Sequence, residues 1–133
     1  MEYVSQNSAF YKRLFSENGI NISEPNAFQK IPFTSKDDLA QHNEDFLCVA
    51  RNKIADYVTT SGTLGDPVAF YLSKKDLERL ARNEMGSLVL AGCTEDDVFQ
   101  LLTTMDKRFM AGLAYYLGVQ ALGAGMIRLG PGI

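Results

Sequence analysis

Residues 59–67 read Thr59-Thr60-Ser61-Gly62-Thr63-Leu64-Gly65-Asp66-Pro67, and apolar, β-prone runs flank them: Ile54, Tyr57 and Val58 before, Val68, Phe70, Tyr71 and Leu72 after. This is the pattern of two strands joined by a short loop. Glycines let a backbone turn tightly and present its N–H groups to a ligand. The hydroxyls of Thr60, Ser61 and Thr63 add further donors. A loop so composed suits a polyphosphate. The simpler reading is an ordinary hairpin turn, but such a turn needs only roughly two to five residues and no run of hydroxyls.

Two familiar nucleotide motifs are excluded here. A Walker loop needs Lys and then Ser or Thr after its last glycine, with a helix starting there. Gly65 is followed instead by Asp66, Pro67 and a strand-like run. The dinucleotide fingerprint Gly-x-Gly-x-x-Gly is missing as well, because Gly62 and Gly65 stand alone. The loop is therefore read as a flap of donors between strands.

Outward from the loop, the pattern predicts a helix over residues 2–17, stopped by Asn18-Gly19. Residues 20–33 read as a loop with Pro25 and Pro32. Thr34-Ser35-Lys36-Asp37 reads as a capping box opening a short helix to about Gln41, and Ser73-Lys74-Lys75-Asp76 as a second one. The second opens a helix with Leu77, Leu80, Ala81, Met85, Leu88 and Val89 on one face, ended by Gly92. Asp97 to Leu102 reads as a buried strand, Phe109 to Leu122 as an internal helix, and Ala124 to Leu129 as the next strand. Helix, strand, helix, strand is the order of an α/β layer with parallel strands.

Several further groups could carry chemistry. His42, the one histidine, lies past a polar helix without metal-ligand spacing and reads as solvated. Cys48 and Cys93 lack an activating pattern and read as packing thiols. Glu95-Asp96-Asp97 reads as a solvated loop rather than a metal site. Lys107 and Arg108 open a helix, where the dipole disfavours cations; an anion partner and plain solvation both explain them. No residue qualifies as a nucleophile or general base, and no metal site is expected.

The chain resembles a known family. Thr60 to Pro67 is similar to the Thr-Ser-Gly-Thr-Thr-Gly-x-Pro signature of adenylate-forming enzymes. Ile31-Pro32-Phe33-Thr34-Ser35-Lys36-Asp37-Asp38-Leu39 resembles the Leu-Pro-Phe-Thr-Thr-Lys-x-Asp-Leu segment of phenylacetate–CoA ligases, and Asn7 to Lys12 resembles their Asn-x-Pro-Phe-Tyr helix. Gly112 to Gly118 and Leu122-Gly123-Ala124-Gly125 resemble the family's later helix and the Leu-Gly-Ala run after it. Leu64 departs from the signature and removes one hydroxyl, while its N–H remains. Arg128 stands where the family commonly shows proline.

The resemblance implies an α/β fold with helices packed on a mainly parallel sheet and a β-hairpin carrying the phosphate loop. It implies that residues 1–133 are the N-terminal portion of an adenylate-forming, AMP-binding domain, with the remainder and a C-terminal domain lying beyond them. It implies ATP-dependent activation of an aryl or acyl carboxylate to an acyl-adenylate, then thioester formation with CoA. ATP, Mg²⁺, CoA and a small-molecule carboxylic acid are the implied cofactors and partners. Thr60, Ser61, Gly62, Thr63, Leu64 and Gly65 would bind phosphate, and Tyr115 and Tyr116 would lie near the acyl pocket, although tyrosine in an apolar helix also reads as core. The family's acidic and lysine catalytic residues would lie downstream, leaving residues 1–133 non-catalytic alone. A deazaflavin-coenzyme adenylylating synthetase and a non-catalytic binding module are the alternatives.

Composition agrees with a globular chain: 133 residues, 46% hydrophobic and 22% charged, with net charge −3. No basic block points to nucleic acid or an anionic membrane. The start has no signal-peptide pattern, and the longest apolar stretch is far short of a membrane span. A cytoplasmic protein is expected, and a homodimer is compatible with this composition.

Overall fold

The computed structural model describes residues 1–60 and 67–132, with Lys107 described by its backbone. The chain divides into two compact units, Met1–Lys53 and Ile54–Ile133.

In the first unit, α1 (Glu2–Asn7) and α2 (Ala9–Glu17) replace the single helix expected over residues 2–17. Ser8 makes the break. Its backbone is extended (φ −98°, ψ 124°), and its hydroxyl accepts the Tyr11 N–H at 3.3 Å, as an N-cap does. The amphipathic pattern runs on through Ser8, so periodicity alone conceals the break. α2 ends where expected. Gly19 takes φ +61°, and the Ile20 N–H reaches back to the Phe15 carbonyl at 2.8 Å. That is the Schellman closure, which favours glycine. Phe15, Ile20 and Ala27 are buried together, with Val4, Tyr11, Leu14, Ile22 and Ile31 against them. Phe10 stacks on Phe46 with ring centroids 4.0 Å apart. α3 (Lys36–Gln41) opens with a capping box between Ser35 and Asp38, one residue later than the four-residue motif read from sequence.

The second unit carries the strands. β1 (Ile54–Thr59) and β2 (Ala69–Ser73) pair antiparallel, from Ile54 opposite Ser73 to Thr59 opposite Ala69. β3 (Val98–Leu101) and β4 (Gly125–Arg128) pair parallel, with α5 (Met110–Leu122) as the crossover. The sheet is therefore not mainly parallel: among the described residues there is one antiparallel and one parallel two-stranded sheet. Connection length explains the difference. A few residues between strands permit only antiparallel pairing, whereas a parallel partner needs a long crossover such as α5. α4 (Lys74–Leu90) packs along α5. Leu77, Leu80, Ala81, Met85 and Leu88 are partly covered as expected, but Val89 is 53% exposed and does not share their face.

The box opening α4 yields a prediction. Ser73 Oγ accepts the Asp76 N–H at 3.3 Å and donates to Asp76 Oδ2 at 2.7 Å; the Ser73 N–H donates to the same oxygen at 2.9 Å. The hydroxyl's hydrogen bond holds the Asp76 carboxyl below its ordinary value, against the opposing effect of partial burial. A depressed carboxylate contributes stability above its unfolded-state pKa, and that contribution is lost as pH falls through the lower, folded-state value. Ser73→Ala should cost about 1 kcal/mol at neutral pH. The gap to wild type should narrow in urea titrations once pH drops below the ordinary carboxylate range, about pH 4. A gap constant down to acid pH would mean that the carboxylate adds nothing to the cap.

Candidate phosphate-binding site

The site is built on the end of β1. Val58 in β1 and Val68 just before β2 are buried, at 1% and 5% exposure. Beyond Thr59 the ladder continues by one rung made partly of side chain. The Thr60 N–H donates to the Val68 carbonyl at 3.0 Å, and the Thr60 hydroxyl accepts the Val68 N–H at 3.0 Å. Thr60 thus spends its backbone donor, and one acceptor site of its hydroxyl, on closing the stem. Of the other expected phosphate donors, Ser61, Gly62, Thr63, Leu64 and Gly65 lie outside the described residues.

A second segment meets the stem. Thr59 forms a parallel bridge with Phe109, and its hydroxyl donates to the Arg108 carbonyl at 3.5 Å. Arg108 has φ +64°, the one positive value among the described non-glycine residues. The basic pair ahead of α5 was visible in sequence; its place beside Thr59 was not, because it depends on a pairing 49 residues away.

Tyr115 is exposed on α5, at 47%. Tyr116 is partly covered, with the Arg128 guanidinium 5.7 Å from its ring centre, within cation–π range. An open cavity of about 380 Å³ lies beside β2, with Phe70, Leu72, Leu80 and Met110 on its apolar side and the Asp76–Arg79 pair, 3.4 Å apart, on its polar side.

The remaining candidates have structural roles. Cys48 and Cys93 are free and half-buried; burial pushes the Cys48 thiol up, away from the reactive thiolate. Asp97 Oδ2 accepts the Thr94 N–H at 2.7 Å and so closes its own turn. His42 Nδ1 lies 3.9 Å from Asp45 Oδ2 on an exposed surface. Among the described residues no group of three or more His, Cys, Asp or Glu side chains could hold a metal ion, and no helix is long and apolar enough to cross a membrane.

In fold, the chain is similar to part of a solved acyl-CoA ligase. Its backbone matches 2-hydroxyisobutyryl-CoA ligase in an open conformation, in complex with 2-HIB-AMP and CoA, with a TM-score of 0.84 at 22% identity. That match covers 99% of this chain and 32% of the ligase. The same enzyme in its thioesterification state matches with a TM-score of 0.84 at 24% identity, over 99% of this chain. In sequence, the chain is similar to phenylacetate–coenzyme A ligases. It is 30% identical to that of Thermus thermophilus, over 98% of this chain and 30% of the relative. It is 26% identical to that of Aromatoleum evansii, over 99% of this chain and 31% of the relative. The resemblance to adenylate-forming CoA ligases of the phenylacetate type thus holds in sequence and in fold, and the chain spans about a third of the length of these relatives. No protein-family model matches the chain.

Proposed function

We propose that residues 1–133 are part of the adenylate-forming domain of a carboxylate–CoA ligase, and that their role is to hold the polyphosphate of ATP. The observation that carries this reading is the stem closed between Thr60 and Val68, the described residues on either side of the sequence Ser61-Gly62-Thr63-Leu64-Gly65. The similarity to phenylacetate–CoA ligases over 98% of the chain supports the reaction class.

In that reaction a carboxylate oxygen bonds to the α-phosphorus of ATP, and the bond from that phosphorus to the pyrophosphate oxygen breaks. The thiol of CoA then displaces AMP from the acyl group. Charge builds on the departing pyrophosphate in the first step. Fixed N–H and hydroxyl donors stabilise it with little reorganisation. On this reading Ser61 and Thr63, with the N–H groups of Gly62, Leu64 and Gly65, are those donors, and the Thr60 hydroxyl hydrogen adds one from the stem. Among the described residues no group of three or more His, Cys, Asp or Glu side chains could hold Mg²⁺. Tyr115 and Tyr116 are the substrate-side candidates, with the exposed Tyr115 ring the better placed to meet a ligand.

The test is carboxylate-dependent exchange between ATP and pyrophosphate, run on the longest polypeptide the gene encodes and on the 133-residue chain alone. Exchange driven by phenylacetate or another aryl or acyl acid in the former, and none in the latter, is the expected result. No exchange with any acid by a folded, ATP-binding protein would overturn the ligase reading.

A further inference from the structure

We propose that Arg128 selects, as the acid to be activated, a carboxylic acid that carries a second carboxylate; this rests on the carboxylate–CoA ligase reading and names its substrate class. The observations meet at one place in the unit Ile54–Ile133. Arg128 is the last residue of β4 and stands opposite Leu101, the last residue of β3, so it lies at the carboxyl ends of the two parallel strands. In open α/β sheets that end is where ligands bind. The Leu129 and Gly130 N–H groups both donate to the Leu101 carbonyl at 3.1 Å, which fixes the backbone just past Arg128.

The Arg128 side chain is held there with its charge unspent. Its guanidinium lies 5.7 Å from the ring centre of Tyr116, a cation–π contact that orients the fork without neutralising it. Arg128 is exposed, and among the described residues it has no ion pair. The chain leaving β3 comes to the same face of α5. Gly112 lies one helical turn before Tyr116, and a Cβ on it would stand 3.0 Å from the Thr104 carbonyl carbon and 3.2 Å from Met105 Cγ. Beside Thr104 in that segment, Thr103 Oγ1 is buried and, among the described residues, has no hydrogen-bond partner. A buried hydroxyl left unpaired is unfavourable, and a bound carboxylate is an acceptor it lacks.

The charge decides the class of ligand. A guanidinium grips a carboxylate through two parallel N–H donors. Gripped in that way, the reacting carboxylate would have both oxygens engaged and its lone pairs withdrawn from the α-phosphorus of ATP. Arg128 therefore suits a carboxylate that does not react, elsewhere on the same acid.

The test is carboxylate-dependent exchange between ATP and pyrophosphate on the longest polypeptide the gene encodes. The acids are matched pairs: phenylacetate against para-carboxyphenylacetate, and hexanoate against adipate. In at least one pair, kcat/KM should be about tenfold or more higher for the diacid. Arg128→Met should bring that ratio close to one, chiefly by raising the KM of the diacid. Arg128→Lys, a point charge without the fork, should keep part of it. Arg128→Gln is the second uncharged variant, should Arg128→Met fold poorly. Exchange by the wild type that favours the monoacid, or neither acid, in both pairs overturns the Arg128 assignment and leaves the ligase reading standing. A diacid preference that survives in the uncharged variants does the same, as does a loss of exchange with both acids alike that tracks a lower melting temperature. No exchange with any acid by a folded, ATP-binding protein overturns both readings.

Discussion

Gly118→Ala is expected to destabilise the unit Ile54–Ile133 by up to about 2 kcal/mol net, where forcing a methyl into a filled interface alone costs about 1–3 kcal/mol. Gly118 lies in α5 where that helix meets α4. A Cβ built on it collides with Glu84 Cβ and lies 3.2 Å from both the Glu84 carbonyl carbon and the Met85 nitrogen. Two of these are backbone atoms, which cannot move unless α4 moves. The substitution also gains about 1 kcal/mol of helix propensity, so the expected loss is crowding less that gain. Gly86→Ala in α4 separates the two effects. Its Cβ meets nothing within 4 Å, and its backbone is ordinary helix. That variant should gain about 0.5–1 kcal/mol. Urea unfolding followed by circular dichroism compares them directly. Equal stability of the two variants would mean that α4 and α5 do not touch at Gly118.

The same seam shows what a sequence can disclose about this fold. Ser35 with Asp38 and Ser73 with Asp76 are local devices, satisfied within four residues; the second box was legible as it stands, and the first was read one residue early, on Thr34 and Asp37. Gly19 and Gly123 stop α2 and α5 for an equally local reason, at φ +61° and +84°. Ser8 was missed because its hydroxyl looks outward from its own segment, to the Asp45 carbonyl 37 residues on. The balance of parallel and antiparallel pairing was missed because each pair depends on its connection, not on the strands. Val89 was placed on the buried face by spacing alone, and what lies opposite that turn of α4 leaves it exposed. At the candidate site, composition pointed to the loop and its hydroxyls, and the structure adds that Thr60 serves the stem. Arg108 carried an ambiguous signal, a cation before a helix N-terminus. Its positive φ and its place beside Thr59 follow from long-range pairing that no local pattern encodes.

Ser8→Ala should be the most damaging small change in the unit Met1–Lys53. Ser8 is fully buried, at 0% exposure, and its hydroxyl works in both directions. It accepts the Tyr11 N–H at 3.3 Å, capping α2, and donates to the Asp45 carbonyl at 2.7 Å, tying α2 to the turn Asn43–Phe46. That turn carries Phe46, which stacks on Phe10. Alanine removes the cap, worth about 1 kcal/mol. It also strips the Asp45 carbonyl of this donor, at about 1–3 kcal/mol for an unmet buried acceptor. The expected sum is about 2–4 kcal/mol, a large fraction of the stability of a small unit. Arg13→Ala is the matched control. It deletes the 3.0 Å ion pair to the side chain of the same Asp45, but both partners are solvated, at 43% and 37% exposure. Such a pair contributes about 0–1 kcal/mol. The chain has no tryptophan, so the readout is circular dichroism in urea, with tyrosine fluorescence alongside. If Ser8→Ala unfolds with Arg13→Ala, the hydroxyl does not join α2 to that turn, and the Phe10–Phe46 stack must be held by ring burial alone.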